Sequence, residues 1–119
     1  MFLEDTIQVQ AGGQARGYPI RVRPGIRRSL PQMIPAHAKA HRYAVIADET
    51  VADLYGKDVV EGLVERGREA HLFTFPPGEA SKTREEWARL TGEMLTAGFG
   101  RDSAVVALGG GVTGDLVGF

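Results

Sequence analysis

An apolar run that ends abruptly in three glycines, Ala104-Val105-Val106-Ala107-Leu108-Gly109-Gly110-Gly111, constrains this chain more than any other feature. Val105, Val106 and Leu108 are continuous in apolar character and the run is too short for a helix, which predicts a buried parallel strand. Glycines at the carboxyl end of such a strand let the backbone approach a ligand with no Cβ in the way. A helix starting there aims its free N–H groups at an anion, a geometry that suits a phosphate. Gly109, Gly111 and Gly114 satisfy the G-x-G-x-x-G spacing. The dinucleotide fingerprint, however, normally follows the first strand of its unit and needs an acidic residue about 20 positions on, and this chain runs only to Phe119. Taken alone, the glycines fit either a phosphate cradle or a strand-to-helix turn that needs glycine for its own backbone.

The segments upstream repeat the strand-then-helix logic. Residues 42–48 (Arg-Tyr-Ala-Val-Ile-Ala-Asp) read as a strand, followed by helical character over 50–55 and again over 57–66. There Val59, Val60, Leu63 and Val64 share a face and Gly67 supplies the stop. Residues 69–75 form the next expected strand, closed by Pro76-Pro77-Gly78. A helix then starts near Thr83, whose hydroxyl forms a capping box with Glu86, and Trp87, Leu90, Met94 and Leu95 make its apolar stripe up to Gly98. Trp87 at helical spacing with Leu90 and Met94 reads as core rather than as a stacking platform. Alternation of this kind predicts an α/β fold, a parallel sheet wound with helices. Ahead of it, residues 6–10 and 18–22 read as two short strands joined by glycine-bearing residues 11–17, a hairpin. Pro24-Gly25 turns the chain, residues 26–30 suggest a short helix, and Pro31 and Pro35 break the segment after it.

Composition narrows the function. With 14 Lys and Arg against 15 Asp and Glu, the chain has no electrostatic footprint for nucleic acid. Arg21 and Arg23 alternate with Ile20 and Val22 as a solvated strand face would, so the cluster with Arg27 and Arg28 does not change that. Absence of cysteine excludes disulfides, thiolate metal sites and a cysteine nucleophile. No apolar run approaches membrane length and the amino terminus lacks the pattern of a signal peptide, so a cytoplasmic location without a membrane partner is expected. His37 and His41 have i, i+4 spacing, but Pro35 precedes them, a strand comes at once after them and no glutamate lies nearby, which favours solvent-facing side chains over a zinc site. His71 is the third histidine, and no metal ligand is assigned.

In an open parallel sheet, ligands collect beyond the carboxyl ends of the strands. Three motifs are expected there: Asp48-Glu49-Thr50, then Gly78-Glu79-x-Ser81-Lys82, then Gly110-Gly111-Val112-Thr113-Gly114-Asp115. An acidic side chain at such an edge accepts ribose hydroxyls, and a lysine neutralises a phosphate or bonds ribose oxygens. Each residue also has a plainer role open to it. Asp48 or Thr50 suits an N-cap, Glu79 and Lys82 suit a surface pair, and Asp115 suits the positive start of a helix.

Residues 100–119, with Pro77-Gly78-Glu79-Ala80-Ser81-Lys82-Thr83 and Ala47-Asp48-Glu49-Thr50-Val51, resemble in order and spacing the amino-terminal part of the 3-dehydroquinate synthase family, of the sugar phosphate cyclase superfamily. The resemblance implies a Rossmann-like sheet preceded by the short β-hairpin, and a bound NAD. Asp48, Glu49 and Thr50 would lie near the adenosine half, and Glu79 and Lys82 would hold ribose, with Gly78 and Ser81 also among the cofactor-binding residues. Gly110, Gly111, Val112, Thr113, Gly114 and Asp115 would wrap the pyrophosphate and nicotinamide side. For the whole enzyme it implies conversion of the small-molecule substrate 3-deoxy-D-arabino-heptulosonate 7-phosphate to 3-dehydroquinate and phosphate in the shikimate pathway, and leaves a homodimer open. The family's zinc ligands, a glutamate and two histidines, come from a second, mostly helical domain. Residues 1–119 are therefore expected to be a truncated NAD-binding domain, inactive alone, with no catalytic residue assigned. A related cyclase, an iron-type polyol dehydrogenase and a non-catalytic nucleotide-binding module stay open. The dehydrogenases usually carry serine after the three glycines, where this chain has Val112.

Overall fold

The structure, a computed structural model, describes residues 5–10 and 17–118, with side chains from residue 20 onward except that of Asp115. It divides into two compact units, Met1–Leu30 and Pro31–Phe119. In the first, β1 (Asp5–Gln10) and β2 (Gly17–Val22) pair antiparallel, with Asp5 opposite Val22 and Gln10 opposite Gly17. Those are the two expected strands; the turn joining them lies outside the described residues. Residues 26–30, expected as a short helix, form a single 3-10 turn over Ile26–Ser29, and Arg23 Nη2 donates to Ser29 Oγ at 2.7 Å.

The second unit is a three-stranded parallel sheet in the order β4-β3-β5, built from β3 (Arg42–Asp48), β4 (Glu69–Phe75) and β5 (Ser103–Ala107). Five consecutive residues of β3, Tyr43 to Ala47, are buried, as a strand covered on both faces must be. Packed with it are α2 (Glu49–Val51), α3 (Lys57–Glu65), α4 (Arg84–Thr96) and α5 (Gly111–Gly118), while α1 (Leu30–His37) meets α3. Ala44, Ile46, Phe73, Phe75, Leu90, Phe99 and Leu116 form one core cluster, with Trp87 and Met94 packed against it, so Trp87 is core as expected. Among the described residues no helix is long and apolar enough to cross a membrane.

Several local expectations are corrected. Pro31 and Pro35 do not break the chain; both lie buried inside α1. Pro31 sits in the first turn, where an N–H would have no intrahelical partner, and its ring packs against Gly62 of α3. The two helical stretches after β3 are one continuous helix, because a π-turn over Ala52–Gly56 joins α2 to α3 with αR backbone at both junctions. Val64 and Leu95, expected on apolar faces, are 54% and 65% exposed. Each lies one residue past a core contact of its helix, the buried Leu63 and the partly buried Met94, and rotates away from the sheet. Likewise β5 is an edge strand, with Val105 46% exposed, because it pairs only with β3 among the described strands. Only half of the capping box forms. Thr83 Oγ1 accepts from the Glu86 amide at 3.2 Å, while the Glu86 carboxylate pairs with Arg89.

Both expected helix stops are observed. At the end of α3, Gly67 N bonds Val64 O and Arg68 N bonds Leu63 O. At the end of α4, Gly98 N bonds Leu95 O, Phe99 N bonds Met94 O, and Phe99 enters the core beside Met94. Gly98 has φ 89° and a Cβ there would run into the Arg42 guanidinium, which donates to Gly98 O at 2.6 Å. Gly98→Ala is therefore expected to lose about 2 kcal/mol of unfolding free energy. Gly92→Ala, in the same helix with open space around the added methyl, should gain up to about 1 kcal/mol. Urea denaturation of the two variants checks both signs.

Candidate functional site

Parallel register sets the geometry of the site. Asp48 pairs with Phe75 across β3 and β4, Ile46 pairs with Ala107 across β3 and β5, and Leu108 N extends that ladder by bonding Ile46 O at 2.9 Å. The segments that leave the three strands thus start side by side on one edge, that of β3 in the middle. Adjacent strands lie about 4.8 Å apart, so the outer two segments leave the sheet within about 10 Å of each other. All three motifs marked from sequence sit in these segments.

After β3, Asp48 is half-buried and caps the helix, its Oδ1 accepting from the Val51 amide at 2.8 Å. Glu49 and Thr50 occupy the exposed first turn. Asp48 thus takes the N-cap role that was open to it, while a carboxylate has further acceptor capacity on its second oxygen.

After β4, Pro76 and Pro77 bring no N–H to continue the ladder. Gly78 lies at φ 108° and the chain closes into a 3-10 turn over Glu79–Ser81. Ser81 N bonds Gly78 O, Lys82 N bonds Glu79 O and Thr83 N bonds Ser81 O, at 3.1, 3.0 and 2.8 Å. The Ser81 side chain is 5% exposed, and its hydroxyl donates to the Pro76 carbonyl. Gly78, Glu79 and Lys82 are exposed. Sequence reasoning missed Arg89. Its Nη2 donates to Thr74 O at 2.8 Å, bracing the end of β4 against α4. Hydrogen bonding to Glu86 first, then the nearby charges of Glu86 and Glu93, raises its pKa above the ordinary arginine value. The i, i+3 and i, i+4 spacing to those glutamates was legible; the reach to Thr74 was not.

After β5, Gly109 has φ 146° and a Cβ there would come within 2.8 Å of Thr113 Oγ1. Thr113 is 1% exposed, tucked beneath this turn, and Val112 packs against the core cluster. Gly110, Gly111 and Gly114 are exposed, and a Cβ on any of them would meet nothing within 4 Å. Asp115 lies in α5, with its side chain outside the described residues. The structure therefore roots every marked segment at one edge of the sheet, and turns the side chains of Ser81 and Thr113 inward.

The histidines do not assemble. His37 is the last residue of α1, His41 lies beyond the helix with its amide bonded to Asp102 O, and His71 sits in β4 edge-on to Phe99 at 5.3 Å. Among the described residues no group of three or more His, Asp or Glu comes together to hold a metal.

Comparison with known proteins bears on the family and the fold. Residues 72–119 match the model of the 3-dehydroquinate synthase N-terminal family. The 3-dehydroquinate synthase of Paracoccus denitrificans is 40% identical over 115 residues, 97% of this chain, and that of Agrobacterium fabrum is 42% identical over 104 residues, 87% of this chain. The chain belongs to the 3-dehydroquinate synthase family. It spans 31% and 28% of the length of those two relatives, corresponding to the amino-terminal portion of the family's enzyme. Among solved structures, 2-deoxy-scyllo-inosose synthase superposes with a TM-score of 0.75 at 25% identity, over 96% of this chain and 31% of its own. A second structure of that cyclase, in complex with carbaglucose-6-phosphate, NAD+ and Co2+, matches with the same TM-score. The α/β parallel sheet expected from sequence is thus the fold of the family.

The glycines of the third motif differ in what the fold asks of them. Gly109→Ala is expected to lower stability by about 2 kcal/mol, through its positive φ and its contact with Thr113. Gly111→Ala, in helical backbone with open space around it, should leave stability unchanged or raise it by up to about 1 kcal/mol. Thermal unfolding of the pair checks this contrast.

Proposed function

We propose that this chain is the NAD-binding portion of a 3-dehydroquinate synthase, the enzyme that converts 3-deoxy-D-arabino-heptulosonate 7-phosphate to 3-dehydroquinate and phosphate. The observation that carries the reading is the open backbone at Gly110, Gly111 and Gly114, at the start of a helix and beside two other marked segments on the same sheet edge. A Cβ would project into that open space, so glycine keeps a surface on which a phosphate can meet main chain directly.

In this reading each segment has its own task. The first-turn amides of α5, at Gly111, Val112 and Thr113, have no intrahelical acceptor and carry the positive end of the helix dipole, which suits a pyrophosphate. Glu79 and Lys82 hold ribose oxygens from the neighbouring turn. Asp48 commits one oxygen to the cap and offers the other to the adenosine half, next to Glu49 and Thr50. Bound here, the nicotinamide supplies a reversible hydride acceptor and donor. The chain's own residues bind and orient it. Both ends of the dinucleotide rest on segments whose roots the β-ladder fixes, so the cofactor stays in place through a turnover.

The described residues do not fit a metal site, so no step here passes through one. In this proposal the family's zinc ligands and most substrate contacts lie outside residues 1–119, which act as one NAD-binding domain. Cytoplasmic location and a homodimer of the full-length enzyme belong to the same proposal.

Two measurements test it. In calorimetric titration the chain should bind NAD in preference to ADP or ATP. Lys82→Ala should weaken NAD about tenfold, and Gly111→Val should abolish binding with an unchanged circular dichroism spectrum. Preference for ADP or ATP, or equal NAD affinity in parent and variants, would overturn the site. Phosphate release from the heptulosonate phosphate, assayed with NAD and zinc, should be absent for residues 1–119 alone. Turnover by that chain would overturn the division between the two domains.

A further inference from the structure

Ser81 stands in the middle of the second marked motif, between Glu79 and Lys82, and sequence pattern alone assigns all three to the ligand. Burial separates them. Glu79 and Lys82 are exposed, whereas Ser81 is 5% exposed and its hydroxyl is bonded to the carbonyl of Pro76, five residues back. That bond closes a ring across the whole turn. Pro76 and Pro77 have no N–H to donate, and among the described residues the next main-chain donor to bond after β4 is Ser81 N. The Ser81 hydroxyl spans this gap, joining the last part of the strand exit to the residue immediately before Lys82. On the strand side Arg89 Nη2 holds Thr74 O, so the segment that carries Glu79 and Lys82 is pinned at both ends.

We infer that Ser81 is a positioning residue, acting on the dinucleotide only through Glu79 and Lys82 by holding their turn in its binding geometry. The inference rests on the NAD reading of this edge. A turn held in place before binding loses less conformational freedom when the ligand arrives, so its loosening is read as weaker affinity. A buried serine that touches the ligand would behave differently, since its effect would not depend on Glu79 and Lys82.

A double-mutant cycle on the chain, titrated with NAD, separates these cases. Ser81→Ala should weaken NAD about fivefold, and Ser81→Thr, which restores a hydroxyl, should recover most of that loss. In a background carrying both Glu79→Ala and Lys82→Ala, Ser81→Ala should change affinity by less than about twofold, because the groups it positions are gone. The same loss in both backgrounds, or none in either, overturns the positioning role. Amide hydrogen exchange at residues 81–83 gives an arm that needs no ligand: Ser81→Ala should speed exchange there and leave the β3 amides protected. Unchanged exchange at 81–83 overturns the clamp itself. Failure of the unsubstituted chain to bind NAD overturns the reading of the site, and the exchange data still judge the clamp.

Discussion

The pairing of β3 with a parallel strand on each side is the constraint on which the rest of this unit depends. Tyr43 to Ala47 leave almost no surface to solvent, so the strand has no face or edge from which its neighbours could slip. Its amino end is secured by polar groups. Arg42 reaches Gly98 O at 2.6 Å and Glu69 Oε2 at 3.1 Å, tying the end of α4 and the start of β4 to one side chain. Tyr43 Oη donates to Ala38 O and accepts from Ala40 N, holding the connection from α1. With that end fixed, the carboxyl end is where the chain is free to vary its loops, and all three marked segments are rooted there.

Much of this arrangement was legible because each core strand is an apolar run with sharp ends. The residues expected for β3 and β4 match those observed, since Asp48 and the two prolines punctuate them unambiguously. Helix ends marked by Gly67, Gly98 and Thr83 were equally readable, each having a single stereochemical role. What failed were rules with a positional exception. Proline breaks a helix interior but suits a first turn, and Pro31 is in one; burial of Pro35 accompanies its missing bond. Apolar periodicity finds a helix face but not its width, so it draws Val64 and Leu95 inward when they lie just outside. Glu86 suits a capping box by spacing, yet Arg89 one turn on offers its carboxylate a full opposite charge.

For the candidate site, location was legible and orientation was not. Pattern matching places Asp48, the turn at residues 78–82 and the glycine segment on one edge, and the register brings their backbones there. It cannot distinguish a hydroxyl aimed at a ligand from one that staples its own loop. Ser81 and Thr113 are both small, polar and flanked by motif residues, yet both are buried. Small hydroxyls satisfy main-chain groups inside tight turns, which makes them poor indicators of ligand contact unless exposure is known.

The glycines show how the two kinds of demand can be told apart. At Gly109 the fold itself requires glycine: φ is positive and Thr113 occupies the space where a Cβ would go. At Gly110, Gly111 and Gly114 neither condition holds, and in the helical positions alanine would be the better residue for stability. Three exposed glycines that the chain's own packing does not need, adjacent to one that it does, carry a cost without a structural return inside this unit. Under the NAD reading proposed above, a ligand seated against bare main chain is the demand that would offset that cost.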